Sequence, residues 1–115
     1  MTRELKNEGA LKQAIREEIE AEIADLEEYA KRGEAPPQCR GYRLKVNRKH
    51  ILIYDRFVTG RDVLHLAGLN PPEDYTLRLK AIGQRPKKIG LDEKVDLRKV
   101  GIEKFKALPR DQTEG

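Results

Sequence analysis

Residues 59–82 read TGRDVLHLAGLNPPEDYTLRLKAI, and within them the hydrophobic period changes from that of a helix to that of a strand. Thr59 stands as an N-cap, with Asp62 three residues on in capping-box register, where Glu or Gln is the commoner partner. Val63, Leu64 and Ala67 form a short apolar stripe, with Leu66 at its edge. Gly68 suits a left-handed helix end, and Asn70-Pro71-Pro72 stops any continuation. From Tyr75 the pattern alternates: Tyr75, Leu77, Leu79 and Ala81 share one face, Arg78 and Lys80 the other. A helix of two to three turns therefore delivers the chain into a half-buried strand.

Upstream, Tyr42, Leu44 and Val46 alternate with Arg43, Lys45 and Asn47, and after a polar NRK turn comes HILIYD, His50 to Asp55. The pair predicts a β-hairpin, although the turn lacks the Asn-Gly that favours the tightest hairpins. Downstream, GQRP is a turn, KKIG a short edge strand, and LDEKVDLRKVG a connection anchored inward by Leu91, Val95 and Leu97. IEKFKAL, Ile102 to Leu108, is the last strand, with Phe105 and Ala107 facing in; Pro109 closes it and RDQTEG forms a polar tail. Strand, strand, helix, strand, short strand, strand is the β-grasp order. An α+β fold follows, a mixed sheet of four or five strands with one helix over one face and the other face open.

Ahead of this lies a different body. From Ala10 to Lys31 the side chains Leu11, Ile15, Ile19, Ile23, Leu26 and Ala30 recur at helical spacing, flanked by Glu17, Glu18, Glu20, Glu22, Glu27 and Glu28. Gly33 and Pro36-Pro37 end that helix. Its stripe must be buried on the following domain, on a second copy, or on an enzyme partner. Residues 1–40 hold 7 Lys/Arg against 10 Asp/Glu, net −3, whereas residues 41–115 hold 17 against 10, net +7. Three regions result: an acidic amphipathic helix with a Pro-containing linker (1–40), a β-grasp domain (41–109) and a flexible tail (110–115).

Composition excludes several classes. No apolar run approaches the roughly 18 residues of a membrane span, and MTRELKNEG offers no signal-peptide core, so a cytoplasmic location is expected. Cys39 is the only cysteine, and His50 and His65 form no ligand-spaced cluster. That argues against a zinc site and a Cys/His nucleophile pair, hence against an enzyme or a bound cofactor.

Residues 41–115 resemble the multi-ubiquitin domain of bacterial ubiquitin-like operons. The resemblance rests on TGRDVLHLAGL, the strand entry NPPEDYTL, the turn DEKVDL and the ending GIEKFKALPRDQTEG, taken in order and spacing. It does not extend to the N-terminal helix. It implies a ubiquitin-like protein modifier served by an activating enzyme, a conjugating enzyme and a JAB-type metalloprotease. That protease would expose the terminal glycine of a longer precursor or cut linked copies apart. It further implies attachment to a target protein through an isopeptide bond, in operons some of which resemble antiphage defence systems.

In that reading Gly115 is the activated residue, and Arg110, Asp111, Gln112, Thr113 and Glu114 bind the activating and processing enzymes. ATP and Mg belong to the partner enzyme. A carboxylate does not acylate an amine at neutral pH, so it must become an acyl-adenylate and then a thioester. A slim polar tail ending in glycine can thread to that chemistry. The ending Thr113-Glu114-Gly115 departs from the Gly-Gly of eukaryotic ubiquitin, so the partner's channel must accept a charged Glu114.

The open sheet face is the second candidate site. If the apolar alternation points at the helix, then Arg43, Lys45, Arg78, Lys80, Lys104 and Lys106 point away and form one basic face, which Lys87 and Lys88 could extend. It would dock an acidic enzyme surface, or be a solvated face rich in lysine. Three rival functions remain open. A sulfur carrier also ends in an adenylated glycine but generally in Gly-Gly. A nucleic-acid module would use the positive charge but lacks an aromatic stacking platform. A plain interaction domain would have an inert tail.

Overall fold

The computed structural model describes residues 22–110. In chain order it contains β1 (Ile23–Asp25), α1 (Leu26–Arg32), β2 (Gly41–Val46), β3 (Lys49–Ile53), β4 (Phe57–Thr59), α2 (Gly60–Leu66), a 3-10 turn (Pro72–Asp74), β5 (Tyr75–Ala81), β6 (Lys87–Ile89), β7 (Lys94–Asp96) and β8 (Ile102–Pro109). β2 pairs antiparallel with β3 and parallel with β8; β8 pairs antiparallel with β5, and β5 with β6. This is the β-grasp arrangement: a hairpin, a crossing helix, and a final strand inserted beside the first.

The hairpin closes through Asn47 and Arg48, with Val46 and Lys49 as the last pair. Asn47 has φ 56, a left-handed conformation that Asn tolerates better than most residues. Its side chain then takes the place of strand backbone. The amide nitrogen donates to the Ala107 carbonyl at 3.1 Å, and Oδ1 accepts from the Ala107 N–H at 2.9 Å. The turn is thereby stitched to β8 where β2 has ended.

Helix α2 is capped as its sequence requires: Thr59 Oγ1 accepts from the Asp62 N–H at 3.2 Å, and Asp62 Oδ2 from the Thr59 N–H at 3.5 Å. Val63 and Leu64 are fully buried, and Gly68 has φ 78. The helix starts hard against a neighbouring turn. A Cβ on Gly60 would lie 2.5 Å from the Gly90 carbonyl oxygen.

Three features differ from expectation. First, the helix expected from Ala10 to Lys31 is broken in its described part. Ile23–Asp25 is extended and pairs parallel with Gly41–Arg43 of β2, and the helix begins at Leu26 with Asp25 as N-cap. The strand ladder satisfies the backbone there, and it is Ala24, with Leu26 and Ala30, that becomes buried, while Ile23 is only partly covered. Leu26 shares one core with Tyr42, Leu44 and Phe105, and α1 ends at Gly33 with φ 69. Residues 10–21 of that expected helix lie outside the described residues. Second, the connection after β6 contains β7, which pairs with β4 in a separate two-stranded sheet. Val95 and Leu97 are buried from it as anticipated. Third, strict alternation in β8 fails at Glu103. Lys80 opposes Lys104 but Ala81 opposes Ile102, so β8 carries one extra residue, a β-bulge. That is why Ile102 and Phe105, three apart, are both buried.

Candidate functional site

The tail residues Asp111, Gln112, Thr113, Glu114 and Gly115 lie outside the described residues. Arg110 is described and exposed. β8, the strand that leads to it, runs in the middle of the sheet, and its last residue Pro109 pairs with Tyr75. The chain therefore leaves beside the 3-10 turn that precedes β5. The Glu73 carboxyl in that turn is held below the ordinary carboxylate range, chiefly by its own backbone N–H and then by Arg61, with Arg110 adding a smaller field. Arg61 bridges Glu73 at 2.7 Å and Asp92 at 3.5 Å. The root of the tail thus sits next to an organised charge cluster.

The sheet face assembles from the ladder. Arg78 opposes Lys106 of β8 on one side and Lys88 of β6 on the other, and Lys80 opposes Lys104. Lys45 opposes His50 and, with Lys104 and Lys106, lines a hollow that also takes in Asn47 and Arg48. Arg43 is exposed but sits between Asp25 of β1 and Leu52 of β3, at the margin. Lys80 is drawn aside as well: its ammonium donates to the carbonyls of Gln84 at 2.8 Å and Ala81 at 3.3 Å. The six expected side chains therefore split into a central group of four, a fifth turned to a loop, and a sixth at the edge.

Between β5 and β8 this face is a groove of about 300 Å³ rather than a plane. Arg78, Lys80, Lys104 and Lys106 wall it, and Thr76, Leu108 and Pro86 complete it. Among the described residues no acidic side chain lines it. Like charges directly opposite across strands each cost a few tenths to about 1 kcal/mol. Leu108 was legible as a groove residue, since it shares the parity of Lys104 and Lys106. Pro86 was not, because only the folded turn brings it over the sheet.

Among the described residues there is no group of three or more His, Cys, Asp or Glu able to hold a metal ion. The Cys39 thiol is pushed up from its ordinary value by burial, against a weaker opposing pull from Arg98. It is therefore less prone to form a thiolate, the reactive form. His65 Nδ1 faces Asn70 Oδ1 at 3.2 Å. No helix among the described residues is long and apolar enough to cross a membrane. The sequence model of the Multiubiquitin family matches residues 42–110, a span running from β2 to just past the end of β8 and leaving out β1 and α1. No curated protein and no solved structure matches the chain.

Proposed function

The chain belongs to the multiubiquitin family, and on that premise we propose that it is a protein modifier, a substrate of conjugation rather than a catalyst. A partner enzyme adenylates the carboxylate of Gly115 with ATP and Mg, transfers it to a cysteine thiol, and a conjugating enzyme passes it to an amine of a target protein. Where Gly115 lies within a longer precursor, a JAB-type metalloprotease frees it. The basic sheet face docks an acidic partner surface, speeding encounter more than it adds affinity. A cytoplasmic site of action and a part in antiphage defence belong to the same reading.

The observation that carries this reading is the family match over a β-grasp sheet whose central strand leads directly to the tail. Residues 110–115, RDQTEG, follow that strand and include no apolar side chain. The test is reconstitution with the activating enzyme, ATP and Mg, read by intact mass spectrometry without reductant. A thiol-sensitive adduct that is lost when Gly115 is deleted supports the reading. Its absence with a demonstrably active enzyme leaves a β-grasp interaction domain. A gain of one sulfur at Gly115, in place of amide-linked adducts, would make the protein a sulfur carrier.

A further inference from the structure

We propose that the groove between β5 and β8 binds an acidic linear peptide through one apolar side chain of that peptide. The proposal deepens the docking role given above to the basic face and is independent of chemistry at Gly115. Three observations meet in the groove. Arg78 has Lys106 opposite it on one side and Lys88 on the other. The side chains of Arg78, Lys104 and Lys106 make no hydrogen bond or ion pair among the described residues, whereas those of Arg56, Arg61 and Lys87 each hold an acid. Leu108 and Pro86 give the same groove an apolar part, although the walls are charged.

A solvated lysine-rich face needs no hollow, and a purely electrostatic surface needs no apolar seat. An acidic segment with a single Leu-sized anchor uses both. Its carboxylates supply counter-charges to Arg78 and Lys106, and the Arg78 guanidinium can bind a carboxylate with two parallel hydrogen bonds. Its apolar side chain covers Leu108 and Pro86. A nucleic acid is the poorer fit, because neither the groove nor the hollow beside it offers an exposed aromatic ring on which a base could stack.

The test titrates the full chain into fluorescein-labelled peptides, read by fluorescence anisotropy at two salt concentrations. One peptide is a run of Glu and Asp around a central Leu, the second replaces that Leu by Ser, and random single-stranded DNA serves as a third probe. The Leu peptide is expected to bind about tenfold or more tightly than the Ser peptide, the ratio that burying a Leu side chain supplies. Arg78→Glu and Lys106→Glu should each weaken it by a similar factor without lowering the melting temperature, since each turns a like-charged pair into an opposite one. Lys94→Glu, on β7 and outside the groove, should leave binding unchanged. Equal binding of the two peptides, DNA binding as tightly as the Leu peptide, or indifference to both groove variants would overturn the proposal. Loss of peptide binding with the enzyme adduct at Gly115 intact would refute the groove alone. Peptide binding without the adduct would refute the modifier alone.

Discussion

Asn47 does the work of a strand residue from within a turn. Replacing it by Ala removes both hydrogen bonds to Ala107 and puts a Cβ-bearing residue without side-chain compensation at φ 56. The expected loss is about 2 kcal/mol in denaturant unfolding. Asn47→Gly should lose less, because glycine accepts that backbone, and equal losses would show that the hydrogen bonds carry the whole effect. Asp96 is the second informative residue. Its carboxylate takes two 2.8 Å bonds from Arg56 and one from the Arg98 N–H, and the Arg56 hydrogen bond leads in holding its pKa down from 3.8 to about 2. The unfolded chain binds this proton more readily, so the contribution is present above the unfolded value and is lost as pH falls from there through 2. Asp96→Asn should melt a few degrees lower at neutral pH, with the gap to the parent protein closing toward pH 2. A constant gap would show that the pair adds nothing linked to protons. Neither role was legible beforehand: alternation grouped Asn47 with the outward face, and Asp96 lay in what read as a connection.

At the scale of elements, α2 was almost fully legible, because capping, stripe and stop are all local. Thr59→Ala should cost about 1 kcal/mol. Gly60→Ala separates local from tertiary control. Helix propensity alone makes Ala better by about 1 kcal/mol, whereas the Gly90 carbonyl, 2.5 Å from the new Cβ, should reverse the sign. A loss of about 1–3 kcal/mol is expected; a gain would mean that the turn yields freely. The N-terminal helix was less legible for the converse reason. Ile23, Leu26 and Ala30 keep helical spacing, yet β2 offers the backbone of Ile23–Asp25 a ladder, and local periodicity carries no information about such a neighbour. The candidate face shows the same division. Parity alone placed Arg78, Lys104 and Lys106 together, but the turning aside of Lys80 and the arrival of Pro86 depend on the loop between β5 and β6.

For the whole molecule, α1 is part of the core that holds the sheet. A chain beginning at Gly41 keeps the family-matched region but loses the burial of Ala24, Leu26 and Ala30. Roughly 3 kcal/mol of apolar burial is involved, which in a domain of this size lowers the melting temperature by about 10–20 °C. An unchanged melting temperature would make residue 41 a true domain start. Short-range pattern suffices for whatever is local: the hairpin alternation, the capped helix α2, the strand entering at Tyr75 and the side of the sheet on which each charge falls. Tertiary structure alone decided the strand at Ile23–Asp25, the β4–β7 pair, the bulge at Glu103 and the groove between β5 and β8. Each of these depends on backbone or side-chain groups far apart in the chain, and a buried amide or carbonyl pairs with whichever strand the fold brings beside it.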